Sequence, residues 1–182
     1  VSGPSGWVRL SVSPVLAQAV IAPSLPTLYR KHPQLHVDIA ADDRMVDMAR
    51  EGIDIALRTG TTHTDTVVAR QIGQLKRALY ASPAYVAEFG LPERPDDLES
   101  HRLIANSGSP VLNRWTTAPG KGEHVLLVKG HTRTDNTAVM LSLVLHGVGI
   151  ARLAELAARP LVRRGELVPV LADAGGREIC HY

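Results

Sequence analysis

Between Val8 and Gly60 the spacing of apolar residues switches repeatedly between the period of a strand and that of a helix, and this alternation constrains the fold more than any other feature. Val8, Leu10 and Val12 alternate with Arg9, Ser11 and Ser13, the period of two expected of a strand. Ile21, Leu25, Leu28 and Tyr29 then fall on one helix face, with Pro23 and Pro26 near its first turn or at a kink, and Pro33 as the stop. Leu35, Val37 and Ile39 alternate again and predict a strand through Ala41. Asp42 or Asp43 is placed to cap a following helix, in which Met45, Met48, Ala49 and Gly52 stand at i, i+3, i+4 and i+7. Ile53, Ile55 and Leu57 make a third strand, ending at Arg58-Thr59-Gly60. The order β-α-β-α-β predicts a parallel, doubly wound sheet.

The remainder continues the βα logic without repeating the sequence. Val67–Ile72 and Leu75–Ala81 read as extended segments joined at Gly73. Ser82-Pro83 is a strong helix start, an N-cap serine with proline at the first helical position, and Gly90 closes that helix after Phe89. Leu91–Ser100 reads as loop; Arg102–Ala105, Val125–Val128 and Thr132–Thr134 read as short strands. Asp135 or Asn136 can cap a helix from Thr137 to His146, which Gly147 ends. A strand over Val148–Leu153, a broken helix over Ala154–Arg164 closed by Gly165, and a strand over Leu167–Leu171 follow. Glu178–Tyr182 looks like the start of another strand.

Several chemistries are excluded. Twenty Lys and Arg against eighteen Asp and Glu leave a net charge of +2, and no basic stripe of the kind that tracks phosphates is present. The densest basic runs, Arg30-Lys31-His32 and Arg163-Arg164, stand at predicted helix ends, where cations face the negative pole of the dipole. A single cysteine, Cys180, rules out a disulfide framework and a cysteine-rich zinc site. Val139–Ala151 is too short and too interrupted for a membrane span, and Val1–Leu10 lacks the pattern of a secretory signal, so a cytoplasmic location is expected. The Ser/Gly/Pro-rich start, without Met, reads as a linker within a longer protein. No nucleophile elbow or P-loop occurs, and Gly147-Val148-Gly149 precedes a strand where a dinucleotide loop would follow one. Asp42, Asp43 and Asp135 serve more economically as caps than as metal ligands, and His32 and His36 flank Pro33 in an extended segment. Trp7 and Trp115 read as packing residues. No catalytic residue, metal or cofactor is expected.

The strand ends remain. They read Ser13-Pro14, Thr59-Gly60, Ser82-Pro83, Asn106-Ser107 and Thr134-Asp135-Asn136, and several run straight into predicted helix starts. Hydroxyls and free N–H groups there would receive a carboxylate or similar anion, outside the carboxyl ends of strands where open α/β sheets bind ligands.

The order of motifs resembles the effector-binding domain of LysR-type transcriptional regulators. The stretches that carry the resemblance are collinear: Gly6-Trp7-Val8-Arg9-Leu10-Ser11-Val12-Ser13, Tyr29-Arg30-Lys31-His32-Pro33, Glu51-Gly52-Ile53-Asp54-Ile55-Ala56-Leu57-Arg58-Thr59-Gly60, Leu79-Tyr80-Ala81-Ser82-Pro83, His146-Gly147-Val148-Gly149-Ile150-Ala151 and Gly165-Glu166-Leu167-Val168-Pro169. The resemblance implies an α/β fold of two lobes, like type 2 periplasmic binding proteins, joined by two crossing strands. Lobe one would be residues 1–81 with 168–182, and lobe two residues 82–167. A small anionic or polar effector would lie in the cleft between them, at Ser13, Arg58, Thr59, Ser82, Asn106, Thr134, Asp135 and Asn136. Arg58 could hold an effector carboxylate or pair with a neighbouring Asp. The resemblance also implies a homodimer or higher homo-oligomer, built on Leu16–Lys31 and the helix near Val139. DNA would be read only through a winged helix-turn-helix domain of the longer parent. A free-standing solute-binding protein and an enzyme on the same fold are the alternatives.

Overall fold

Ser13 ends the first strand and begins the first helix, and the same economy recurs along the chain. The computed structural model describes residues 3–60, 67–117, 124–172 and 174–182. In chain order the strands and α-helices are β1 (Gly6–Val12), α1 (Pro14–Leu16), α2 (Ala22–Lys31), β2 (Leu35–Ala41), α3 (Met48–Glu51), β3 (Ile55–Ala56), β4 (Arg58–Thr59), β5 (Gln71–Ala81), α4 (Pro83–Phe89), β6 (Ile104–Asn106), β7 (Arg114–Thr116), β8 (Val125–Leu127), β9 (Thr132–Thr134), α5 (Thr137–Leu145), β10 (Ala151–Ala154), α6 (Glu155–Arg163), β11 (Val168–Val170) and β12 (Arg177–His181). The chain divides into two compact units, residues 1–74 with 179–182 and residues 75–178. The junctions fall inside β5 and β12, whereas the sequence reading placed them at 81/82 and 167/168.

In the first unit β1 is flanked by β2 and β3, both parallel to it, with Leu10 opposite Ile39 and Ile55. This is the doubly wound order that the alternation predicts. The expected helix after β1 begins earlier than its apolar face suggests, because Ser13 caps it: the Ser13 Oγ accepts the Leu16 N–H at 3.4 Å and Pro14 takes the first helical position. Between α1 and α2 the chain makes a π turn, Ala17–Ile21. Pro23 and Pro26 lack the N–H groups that a regular helix would use there, and a widened turn accommodates their rings. The Ser24 hydroxyl donates to the Val20 carbonyl at 2.6 Å, replacing part of the lost bonding.

Two expectations for this unit are corrected. Neither Asp42 nor Asp43 caps the next helix: α3 is capped by Asp47, whose Oδ1 accepts the Arg50 N–H at 3.2 Å, and Met45 lies outside it. The Asp42 carboxylate instead accepts the Arg44 backbone N–H at 2.8 Å and its Nε at 2.7 Å, a local turn that competes with capping. The third strand is also broken. Leu57 N–H still reaches the Ser11 carbonyl, but Arg58 and Thr59 then pair antiparallel with His181 and Cys180 of β12.

In the second unit β5 lies between β10 and β11, both antiparallel to it, with Ala151 opposite Tyr80 and Val170 opposite Leu79. The α4 start is as read: Ser82 Oγ accepts the Tyr85 N–H at 3.2 Å, and Gly90 follows at φ +80°. Buried side chains form two clusters, one around Leu79, Tyr85, Leu98 and Trp115, the other around Ile104, Met140, Val144 and Leu153. Trp115 is a core residue, as expected. Trp7 is not: it is 73% exposed and rests against the His36 ring, 5.1 Å between centroids. It stands on the same face as Arg9 and Asp38, which carry polar groups and bring no cover.

Candidate functional site

In the first unit the carboxyl ends of the parallel strands bring Ser13, Asp42 and Arg58 to one sheet edge, with Asp42 N–H bonded to the Val12 carbonyl at 3.0 Å. Arg58 is half-buried and ties β1 to the loop after β2. Its guanidinium donates to the Leu57 carbonyl at 3.0 Å, to Ser11 Oγ at 2.5 Å and to the Arg44 carbonyl at 3.2 Å. All three acceptors are uncharged. Burial lowers the pKa of Arg58, and Asp42 and Asp43 oppose that through space. The Arg58 guanidinium thus bonds neutral oxygens within the field of two carboxylates, while the Asp42 carboxylate is engaged by Arg44. The Arg58 Nε is buried without a hydrogen-bond partner. Ser11, read from the alternation as an outward-facing residue, is fully buried beneath Arg58.

The Asp42 carboxyl is held below its usual pKa, first by the Arg44 backbone N–H and then by the Arg44 side chain. A depressed folded-state pKa gives stability that is fully present above the unfolded value and lost as pH falls through the folded one. Urea midpoints of Asp42→Asn should therefore lose part of the acid-side slope seen in the wild type. An unchanged slope below the ordinary aspartate range would contradict this.

In the second unit β6 and β9 pair in parallel, with Asn106 opposite Thr134, and this register gathers the polar residues. Asn106 Oδ1 accepts the N–H groups of Gly108 and Ser109 at 2.8 and 2.9 Å, and Asn113 bonds both the N–H and the carbonyl of Asn106. Ser107 N–H donates to the Thr134 carbonyl. Thr134 Oγ1 accepts the Asn136 N–H, and Asn136, not Asp135, caps α5 by accepting from Ala138 and Val139 at 3.0 and 3.1 Å. Asp135 sits against Gly108, where an added Cβ would stand 3.1 Å from Asp135 Cβ.

Ser82 is not in this group. Ile150 pairs in parallel with Leu103, so β6 leaves that bridge in the direction β10 does, and β10 is antiparallel to β5. Asn106 and Thr134 therefore lie at the end of the layer where β5 enters, and Ser82 where it leaves. Ser82 is also buried, beside Gly147. The expected free N–H groups at helix starts are partly taken up by the caps: Ser13 and Ser82 each accept one, and Asn136 accepts two. Asn113 and Ser11 escaped the sequence reading because their partners are set by packing across elements.

Two α/β units with β5 and β12 running through both, and polar strand ends on each, define a fold of the type 2 periplasmic-binding-protein kind. The model of the LysR substrate binding domain matches residues 2–181, and the chain belongs to that family of effector-binding regulatory domains. It is 31% identical over 98% of its length to an HTH-type transcriptional regulator of Xanthomonas campestris, of which it covers 53%. To the uncharacterised HTH-type regulator YhjC of Escherichia coli it is 32% identical over 92% of its length, covering 56% of that protein. The chain thus spans about half the length of these relatives. Its fold is similar to the regulatory domain of CrgA, a LysR-type regulator from Neisseria meningitidis (TM-score 0.90, 22% identity, 98% of this chain and 88% of that one). Full-length AphB of Vibrio cholerae, a virulence activator, gives a TM-score of 0.83 at 25% identity over 99% of this chain and 62% of its own. Among the described residues no helix is long and apolar enough to cross a membrane, and no cluster of metal-ligating side chains is present.

Proposed function

We propose that this domain senses a small anionic or polar organic effector, bound without chemical change, for a regulator whose DNA-binding domain lies elsewhere in the parent protein. The candidate contacts are Ser13, Arg58 and Thr59 in the first unit and, in the second, Asn106, Thr134, Asp135 and Asn136; Ser82 serves as a helix cap. The observation that carries this is the β6–β9 register, which collects hydroxyl, carboxamide and carboxylate groups at one sheet end. The names of the relatives as transcriptional regulators favour binding over turnover. Cytoplasmic placement follows from that role, and the net charge of +2 fits a domain that does not itself grip DNA.

A thermal-shift screen of small carboxylates and aromatics tests the assignment. A true ligand at 100 times its Kd stabilises by about 2.7 kcal/mol, a melting shift of roughly 5–10 °C for a domain of this size. Ser13→Ala and Thr134→Ala should reduce the shift. Ser82→Ala should lower the unliganded melting point by the worth of a cap, about 1 kcal/mol, and leave the ligand shift intact. Equal ligand shifts in the wild type, Ser13→Ala and Thr134→Ala would sink the site.

The domain also forms a homodimer or higher homo-oligomer in this proposal, through the helical segment Leu16–Lys31 and α5, which expose Tyr29 and Val139. Sedimentation at high micromolar concentration should show a species heavier than the monomer. Monomer alone would contradict it.

A further inference from the structure

Among the described residues few buried polar side-chain atoms lack a hydrogen-bond partner, and two of them belong to residues directly opposite one another. Arg58 Nε and His181 Nδ1 are both buried and unbonded, and Arg58 faces His181 across the β4–β12 ladder. Directly opposed residues of an antiparallel pair project to the same face with Cβ atoms about 5 Å apart. An unmade bond on such an atom costs about 1–3 kcal/mol, so two on directly opposed residues invite a common partner.

The structure assigns to these two nitrogens an oxyanion subsite: we propose that Arg58 Nε–H and His181 Nδ1–H together hold the acidic group of the effector. The inference rests on the effector reading given above and adds to it a residue, His181, and a ligand class, carboxylates and related oxyanions. Three features favour an anion over a neutral acceptor. The other hydrogen bonds of the guanidinium go to uncharged oxygens, and Asp42 and Asp43 act on it through space. Burial disfavours its charge, and a bound anion would offset that. The helix starts that could otherwise receive an anion are partly taken up by their own caps. Ser11, buried and bonded to Nη2, helps hold the guanidinium in place. Both nitrogens are shut from solvent, while His181 as a whole is only partly buried, and in this proposal a turn of its imidazole admits the anion.

Formate, the smallest carboxylate, is the probe, with formamide as the uncharged control. In 15N-labelled protein at constant ionic strength set with chloride, formate should move the Arg58 Nε and His181 Nδ1 resonances along one saturable curve, and formamide should not. His181→Phe and Arg58→Gln should each weaken formate by roughly tenfold or more, the factor that a charge-assisted hydrogen bond carries. Backbone amide spectra of both variants check that β4 and β12 remain paired. The proposal is overturned if neither resonance moves, if only one does, if formamide acts equally, or if the variants bind formate as the wild type does. Formate binding that ignores both residues removes this subsite and leaves the effector reading standing. A true effector that leaves both resonances still while formate moves them refutes the effector's use of a subsite that nonetheless exists.

Discussion

Gly175→Val should destabilise the second unit by about 4 kcal/mol. A Cβ at Gly175 would stand against the Arg77 carbonyl oxygen, 2.6 Å from Ala78 Cα and 2.7 Å from the Arg77 carbonyl carbon, and the residue has φ +117°. These are backbone atoms of β5, so no side chain can swing aside. The segment is also stitched in place: Gly175 N–H donates to the Thr116 carbonyl, Arg77 N–H to the Gly176 carbonyl, and Arg152 Nε to the Gly175 carbonyl. Gly165 is the control. It too is left-handed, at φ +73°, but nothing lies within 4 Å of its missing Cβ. Gly165→Ala should therefore cost only the backbone strain, about 1 kcal/mol. Urea melts of the two variants separate steric clash from strain; equal losses would contradict the close approach.

The two tryptophans should behave as opposites. Trp115→Ala removes a side chain that is 2% exposed in the cluster with Leu79, Tyr85 and Leu98, and should cost about 4 kcal/mol. Trp7→Ala should cost under about 1 kcal/mol, as surface changes do. Each single-tryptophan variant also gives an optical test. Emission from Trp7 should be quenched readily by acrylamide, and emission from Trp115 should be largely protected. Similar quenching of both would mean that one of the two environments is misdescribed.

That pair shows where a sequence is readable. Composition says that a tryptophan prefers cover, but cover comes from the facing layer, and nothing in the residues around Trp7 names what lies above β1. Elements fixed by neighbours within a few residues were legible: the Ser82-Pro83 helix start, Gly90 as its end, Thr132–Thr134 as a strand, and the cap before Thr137. The family and its fold were legible because the motifs are collinear over nearly the whole chain. What escaped depends on partners far away in sequence. The break after Ala56 exists because β12, more than a hundred residues later, offers Arg58 and Thr59 a second ladder. Ser11 is buried because Arg58 lies on it. Asp42 and Asp43 were plausible caps, and Asp47 prevailed because Asp42 had already closed a turn on Arg44. Of the candidate site, Asn106, Thr134, Asp135 and Asn136 share a sheet end through register, while Ser82, identical in local pattern to Ser13, stands at the opposite end of its layer.

The self-capped helix starts have a consequence for what such a sensor ignores. A cell is crowded with phosphates, sulfates and chloride, and an open helix start would attract all of them. With Ser13, Ser82 and Asn136 taking up part of those N–H groups, the background of small anions meets fewer vacant donors. Discrimination then comes from refusing the abundant as much as from welcoming the rare, and the signal need not rise above a permanently half-filled site.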